Sequence, residues 1–151
     1  MAVAAGAGRC MMTASGTPSR GKDTTMTEYS VSPEGEAFEI PTKEEYQEEL
    51  GRIERLVEQA RSEGKEIVVV MGVGFVGAVM AAIVADTVNE SGSPSKFVIG
   101  CQRPSTRSYW KIPLLNRGQS PVKAEDPEVD PMIARCVLEK KTLTATYNSD
   151  C

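Results

Sequence analysis

The sequence predicts an α/β fold built on a parallel sheet of about three strands, which is incomplete for a nucleotide-binding domain. Three short apolar segments lead to this prediction, because stretches with helical patterns separate them along the chain. These segments are residues 67–71, 97–101 and 143–147. We divide the 151 residues into a disordered tail (1–40), an amphipathic helix (41–65) and a partial sheet domain (66–151).

The tail is small and polar, rich in Gly, Ser, Thr and Pro, and has no apolar period. Such a segment cannot offset the entropy lost on ordering, so we expect residues 1–40 to be disordered. Met26 is followed by a plausible protein start. We therefore interpret residues 1–25 as an extension from an upstream start codon.

The helix predicted for residues 41–65 begins at Thr42, because Thr42–Glu45 fits a capping box. Gly64 is a natural stop for it. Its apolar residues recur at spacings of four and three and form one stripe: Tyr46, Leu50, Ile53, Val57 and Ala60. The stripe predicts a helix that docks on the sheet. A partner-binding or dimerisation helix is the alternative.

The segment Ile67–Met71 is an unbroken β-branched run, which predicts a strand buried on both faces. Gly72–Gly77 follows and fits G-x-G-x-x-G, and residues 78–88 are predicted to be helical. The first glycine allows a tight turn, the second lets a pyrophosphate approach the backbone, and the third lets helix and strand pack closely. This order of elements predicts a Rossmann-type dinucleotide site. The alternative is a glycine turn that only packs the strand against the helix.

The end of the second predicted strand bears on cofactor choice. An acidic residue there would bind the ribose hydroxyls of NAD, whereas a nearby arginine can pair with the 2′-phosphate of NADP. This chain instead has Gln102 and Arg103, with Arg107 a little further on. Arg103 and Arg107 could accept a phosphate or could simply face solvent. The residues alone leave NAD and NADP open.

The remaining segments complete the prediction. Residues 103–121 connect two elements, and the apolar side chains expected to pack on the domain are Tyr109, Trp110, Ile112, Leu114 and Leu115. The alternative is an aromatic platform for a ligand base. Asp130 and Pro131 predict the start of a helix that runs to about Lys140. Its inward side chains are expected to be Ile133, Cys136 and Val137. Leu143–Tyr147 is the third strand, and its open edge is expected to be exposed.

Composition excludes several classes of function. A net charge of −4 and a pI near 5.0 leave no basic surface for nucleic acid. No apolar run is long enough to span a membrane, and the first residues make a poor secretory signal. The chain has no histidine and no C-x-x-C pair, so we predict no metal site and no Ser–His or Cys–His nucleophile. We interpret the four cysteines as reduced thiols of a cytoplasmic protein, two packed and two (Cys10 and Cys151) near the termini.

Four stretches together resemble the N-terminal NAD-binding domain of the UDP-glucose/GDP-mannose dehydrogenases, the nucleotide-sugar dehydrogenase family. They are VVVMGVGFVG, VIG in the second strand, LLNRGQSPV at Leu114–Val122 and LTATYNSD near the end. The resemblance covers residues 66–150. The glycine motif is shared with many Rossmann proteins, but its combination with Asn116–Pro121 at this separation is more specific.

The resemblance implies an oxidoreductase that converts the C6 alcohol of a UDP- or GDP-sugar to a carboxylate, reducing NAD in two hydride transfers. Such enzymes serve polysaccharide biosynthesis, and full-length members often form homodimers. The residues expected to line the pyrophosphate are Gly72, Val73, Gly74, Phe75, Val76 and Gly77. Gln102 falls where the family places its ribose-binding Asp. The basic residue that helps hold the adenosine end is either Arg107 or Lys111.

This chain departs from the family pattern in three places. The strand-end acid is missing, VKAEDPEVDP replaces the usual E-P-G-L, and the downstream G-x-G-G-x-C-type catalytic motif is absent. None of the cysteines therefore inherits a catalytic role. The first hypothesis is a fragment that binds NAD and is inactive alone, with a nucleotide sugar bound only in a full-length protein. The alternatives are a stand-alone dinucleotide-binding or interaction module and a truncated, non-functional product.

Overall fold

The computed structural model describes residues 27–148, which form a hairpin, a parallel sheet and helices on both faces of that sheet. The hairpin strands are β1 (Tyr29–Val31) and β2 (Ala37–Glu39). The sheet strands are β3 (Glu66–Met71), β4 (Lys96–Cys101) and β5 (Leu143–Thr146). The helices are α1 (Glu45–Ser62), α2 (Phe75–Ala85), α3 (Lys111–Asn116) and α4 (Val129–Ala134), the last continuing as a π-helical segment, Arg135–Glu139.

The three sheet strands are parallel and lie in the order β3–β4–β5. Ile67 is level with Phe97, and Val98 is level with Leu143. The predicted α/β class with about three parallel strands is therefore confirmed. The helix after the first strand is Phe75–Ala85 rather than 78–88, because the chain turns into the helix directly after Gly74.

Each face of the sheet has its own core. On one face α2, α3 and α4 bury side chains against β4 and β5, including Ala81, Val98, Leu115 and Ile133. On the other face α1 buries Ile53 and Ala60 against Phe97, Ile99 and Cys101. The helix that precedes the glycine motif thus covers the sheet face opposite α2.

Helix α1 begins three residues later than predicted. Thr42 does not cap it; instead the Thr42 backbone N–H donates to Glu45 Oε2 at 2.6 Å, and the Thr42 hydroxyl contacts the same oxygen at 3.1 Å. Only the carboxylate half of the expected capping box forms. The helix ends as expected before Gly64, whose φ of 76° is in the left-handed region.

The prediction that residues 1–40 are disordered is wrong for the part that the structure describes. Ser30 pairs with Phe38 in the β1–β2 hairpin. Phe38 packs on Trp110 and Leu114, and the Ser30 hydroxyl accepts a hydrogen bond from the Trp110 N–H at 3.1 Å. These distant contacts order a segment too short and polar to order itself. The expectations for residues 1–25 and for Cys10 and Cys151 fall outside the described residues.

The prediction that β3 is buried on both faces is also wrong. It is an edge strand of the described sheet, and α1 covers Ile67 but leaves Val69 45% and Met71 72% exposed. Large apolar side chains of the glycine turn and of α2, which packs on the other face, are also exposed, namely Phe75, Val76, Met80 and Ile83. We call these six residues the β3–α2 apolar surface.

The opposite edge of the sheet is covered, contrary to expectation. All four residues of β5 are buried, and the outward-facing backbone of Ala145 is bonded to the Asn116 side chain. Leu115 and Asn116 belong to α3, the helical part of the segment predicted to pack on the domain. Trp110, Ile112, Leu114 and Leu115 are buried there, as predicted.

A charged cluster joins the end of α2 to the π-helical segment. Asp86 accepts hydrogen bonds from Arg135 at 2.7 Å and from Lys140 at 2.7 Å. The Arg135 hydrogen bond, opposed by burial and reinforced by Lys140, holds the pKa of Asp86 well below its ordinary value. Cys136 and Cys101 are buried, and burial together with the nearby Asp86 raises the pKa of Cys136 to about 11.

Candidate dinucleotide site

The glycine motif forms a tight turn between β3 and α2. Gly72 has a φ of 89°, which other residues adopt only with strain. Its N–H donates to the Cys101 carbonyl at 2.7 Å, so the turn is fixed to the end of β4. The turn therefore begins at the carboxyl edge of the sheet, where ligands of parallel α/β sheets bind.

Two close approaches hold the turn in place. A Cβ at Gly77 would lie 1.7 Å from the carbonyl oxygen of Gly72, and a Cβ at Gly100 would lie 2.5 Å from Val73 Cγ1. Real Cβ atoms do not approach backbone so closely. The third glycine of the motif thus lets α2 pass over the turn, and Gly100 lets Val73 pack fully buried on β4.

The N-terminus of α2 can hold an anion. The first N–H groups of a helix have no partner within it, and no side chain caps this one at Gly74. A Cβ at Gly74 would meet no atom within 4 Å, so the space above the turn is open. Backbone N–H groups and the helix dipole at such a terminus suit a pyrophosphate. Phe75 and Val76, also predicted to line it, are largely exposed beside this space.

Gln102 is part of the same site. Its Oε1 accepts a hydrogen bond from the Val73 N–H at 3.1 Å. The residue at the strand end, predicted to face a ribose, is thereby tied to the glycine turn by its own side chain. Since an N–H can donate only to the oxygen of the amide, the Nε2 group remains as a donor for a ligand.

A pocket of about 370 Å³ opens beside Gln102 at the carboxyl ends of the three strands. It is lined by Tyr46, Met71, Cys101, Gln102, Arg103, Pro104, Tyr147 and Asn148. The lining combines aromatic and apolar side chains with a few polar ones, as small-molecule sites do. Among residues 27–148, no acidic side chain lines this pocket. We call this cavity the strand-end pocket.

Only one of the three predicted cations lies at this pocket. Arg103 lines the strand-end pocket, whereas Arg107 and Lys111 do not. Lys111 lies over the Trp110 ring, with its Nζ 5.7 Å from the centroid, and the Arg107 carbonyl accepts from Trp110 Nε1 at 2.9 Å. Of the two residues that the resemblance offered for the adenosine end, neither is brought to the pocket.

Sequence reasoning missed the aromatic wall of this pocket. Tyr46 in the first turn of α1 and Tyr147 after β5 have ring centroids 5.2 Å apart, and Tyr109 packs on Tyr147 at 5.8 Å. The Tyr147 hydroxyl donates to the Glu45 carbonyl at 3.2 Å. Burial, reinforced by nearby Glu49, raises the pKa of Tyr147, so this ring stays neutral. Because the two tyrosines are far apart in sequence, no local pattern could have paired them.

A larger groove of about 1050 Å³ lies elsewhere, between the hairpin, α3 and the loop 118–124. Neither the glycine turn nor Gln102 lines it, and about half of its lining residues are proline or aliphatic. Its charged lining side chains within residues 27–148 are of both signs, Lys123 against Glu34 and Asp130. The strand-end pocket, though smaller, is lined by Gln102, whose side chain is hydrogen-bonded to the glycine turn.

The part of the chain that the structure describes offers no other chemistry of this kind. Among residues 27–148 there is no group of three or more Cys, Asp or Glu side chains placed to hold a metal ion. No helix in the same range is long and apolar enough to cross a membrane.

Comparison with known proteins gives one similarity to report. No protein-family model and no curated protein matches the chain. A solved structure that it resembles is the NDP-N-acetyl-D-galactosaminuronic acid dehydrogenase from Methanosarcina mazei Go1, with 33% sequence identity over 62% of this chain and a TM-score of 0.47. The chain spans 18% of that protein. That protein is a nucleotide-sugar dehydrogenase, the family whose motifs the sequence resembles.

Proposed function

We propose that the chain is the dinucleotide-binding N-terminal portion of a nucleotide-sugar 6-dehydrogenase that uses NAD. When bound, NAD would accept hydride from the C6 carbon of a UDP- or GDP-sugar. The observation that carries the proposal is the geometry of the glycine turn. Gly72, Gly77 and the Gln102–Val73 hydrogen bond fix the turn below the open N-terminus of α2.

Each residue of the turn has a task in this proposal. The N–H groups at the start of α2 hold the pyrophosphate, and the open space at Gly74 admits it. Gln102 Nε2 donates to the adenosine ribose. The strand-end pocket receives the remainder of the adenosine. No residue of this chain is assigned a role in hydride transfer, because the motif that carries catalysis in the family has no counterpart here.

The β3–α2 apolar surface supports an origin in a larger enzyme over a stand-alone module. Its side chains are 45–72% exposed, and α2 carries no charged residue between Phe75 and Ala85. Several large apolar side chains exposed in neighbouring elements indicate an interaction face. A further part of a dehydrogenase would cover it, and we propose cytoplasm as the place of this enzyme.

The test uses a change that the fold can accept. Gly74→Val fills the open space above the turn, where a Cβ meets nothing within 4 Å. We expect calorimetric titration to show NAD binding by the 151-residue chain and its loss in Gly74→Val. Circular dichroism should show that the variant remains folded. Gly51→Ala, on α1 and outside the site, is the control and should bind normally.

Two results would contradict the proposal. Unchanged NAD affinity in Gly74→Val would show that the turn does not hold the pyrophosphate. Reduction of NAD by the purified chain with UDP-glucose would show that catalysis does not lie elsewhere.

A further inference from the structure

We propose that the strand-end pocket binds the adenosine end of a dinucleotide equally well whether or not the ribose 2′-oxygen carries a phosphate. The chain would then bind NADP at least as tightly as NAD. This inference rests on the proposed dinucleotide-binding function. It concerns which dinucleotide the same site accepts.

First, the residue at the end of β4 carries no negative charge. A carboxylate at this position would bind the ribose hydroxyls and repel a 2′-phosphate. Gln102 is neutral, and its Oε1 is already occupied by the Val73 N–H at 3.1 Å. The group left for the ligand is Nε2, a donor. A donor suits phosphate oxygens as well as it suits a hydroxyl.

Second, within residues 27–148 no carboxylate side chain lines the pocket. The charges of Glu45 and Glu49 are felt at Tyr147 in the aromatic wall, but both carboxylates have partners outside the pocket. Glu45 Oε2 accepts from the backbone of Thr42. Glu49 accepts from Arg52 at 2.6 Å and from the Thr146 hydroxyl at 2.7 Å. Because Glu49 is paired with the Arg52 guanidinium, part of the negative charge that acts on Tyr147 is offset.

Third, a cation lines the pocket. Arg103 follows Gln102 directly, lines the pocket and is exposed. Within residues 27–148 its guanidinium takes part in none of the ion pairs. A guanidinium presents a planar pair of donors that matches phosphate oxygens. Binding a 2′-phosphate would therefore break no ion pair between Arg103 and any other residue in the range 27–148.

Fourth, the cavity has the size and the lining to hold an adenosine. Its volume of about 370 Å³ is within the range of small-ligand sites. The rings of Tyr46 and Tyr147 form one wall and Met71 another, so an adenine has an aromatic and apolar surface to contact. The ribose would then lie toward Gln102 and Arg103.

Calorimetric titration of the 151-residue chain with NAD and with NADP tests the inference. The pair 5′-AMP and adenosine 2′,5′-bisphosphate isolates the contribution of the 2′-phosphate. We expect NADP to bind as tightly as NAD or more tightly, and the bisphosphate more tightly than AMP. The advantage of the bisphosphate should shrink as salt is added, because Arg103 is exposed.

Two variants and one control separate the contributions. Gln102→Glu keeps the length and the acceptor for Val73 but adds a charge, so it should weaken NADP relative to NAD by about tenfold or more, equivalent to ~1.4 kcal/mol. Arg103→Gln should lower the affinity for NADP and the bisphosphate by more than it lowers the affinity for NAD and AMP. Arg61→Gln removes a cation from the last turn of α1, at the end opposite Tyr46, and should change none of these.

The outcomes are distinct. If the unmodified chain binds NAD but binds NADP more than about threefold more weakly, this inference is overturned and the proposed function stands. An unchanged ratio of the two affinities in Gln102→Glu would also overturn it. A chain that binds neither dinucleotide would overturn both proposals.

Discussion

The side-chain amide of Asn116 pairs with both backbone polar groups of Ala145. Its Oδ1 accepts from the Ala145 N–H at 2.7 Å, and its Nδ2 donates to the Ala145 carbonyl at 2.9 Å. Ala145 is fully buried at the outer edge of β5. The amide therefore does for one residue what a further strand would do, and it explains why this edge is not a row of unpaired groups.

Removing this amide should destabilise the domain. Asn116→Ala leaves a buried donor without its partner and removes one donor from the Ala145 carbonyl, so we expect a loss of about 2–4 kcal/mol in the free energy of unfolding. Urea denaturation measures the loss, and hydrogen exchange should show reduced protection of the Ala145 amide.

Gln119→Ala is the control for Asn116→Ala, because it removes an exposed amide from the loop that follows α3. It should change the stability by less than about 0.5 kcal/mol. Full protection of Ala145 in Asn116→Ala would contradict the assignment of this edge to Asn116.

The same glycine-to-alanine change should have opposite effects at two positions. At Gly77 the new Cβ would lie 1.7 Å from a backbone oxygen, so the turn or α2 must shift, at a cost of about 3 kcal/mol or more. At Gly51, inside α1, the nearest atom to a new Cβ is the end of Arg55 at 3.6 Å, and alanine should stabilise the helix by about 0.5–1 kcal/mol.

Thermal unfolding of the two variants provides the measurement. A lower melting temperature for Gly77→Ala and a raised one for Gly51→Ala are expected. Equal stability of Gly77→Ala and the unmodified chain would mean that α2 does not pass over the turn as described.

The strands and the glycine turn were predictable because their signals are local. An apolar run, three glycines and a helix follow one another within residues 66–85, so each position can be interpreted from its neighbours. The same holds for α4 and the π-helical segment after it, where Ile133 and Cys136 are fully buried as predicted.

The hairpin was not predictable for the opposite reason. Its strands are three residues long, and its order comes from Trp110, Leu114 and Arg117, which lie far along the chain. Arg117 pairs with Glu36 at 2.6 Å and lies over the Phe38 ring at 5.2 Å. No pattern within a segment can report contacts of that separation.

The position of β3 at an open edge was missed because strand order is a tertiary property. An apolar run predicts burial, but burial needs neighbours on both faces, and α1 reaches Ile67 without reaching Val69 or Met71. The strand-end pocket was missed likewise, since Tyr46 and Tyr147 meet only when α1 packs on the sheet.

Acid should weaken the domain through Asp86. Its hydrogen bond with Arg135, helped by Lys140, lowers the pKa in the folded state below the ordinary value of 3.8. A lowered pKa stabilises the fold above the unfolded-state value, and that stability is lost as the pH falls through the folded pKa. The unmodified chain should therefore lose stability below about pH 5.

Asp86→Asn tests this directly. It should cost about 2 kcal/mol at pH 7, where the charged pair is present, and the difference from the unmodified chain should shrink toward pH 2.5. Urea denaturation across this range gives the curves, with the exposed Glu90→Gln as control. A difference that stays constant with pH would rule out a charge effect.

Arg52 should couple α1 to the sheet. Its guanidinium donates to the Thr144 hydroxyl at 3.2 Å and to the Ala145 carbonyl at 3.1 Å, while Glu49 on the same helix accepts from Thr146. Arg52→Ala removes the first two contacts. Because Asn116 still serves the Ala145 carbonyl, we expect a loss of only about 1–2 kcal/mol. Arg55→Ala, exposed on the same helix, should cost less than about 0.5 kcal/mol.

Hydrogen exchange decides whether α1 belongs to the same cooperative unit as the sheet. If it does, α1 and β4 amides lose protection together in Arg52→Ala, because Ile53 and Ala60 share one core with Phe97 and Ile99. If α1 exchanges freely while β4 stays protected, the helix is a separate unit. The wall that Tyr46 gives to the strand-end pocket would then open with it, and the variant should lose affinity for adenosine 2′,5′-bisphosphate.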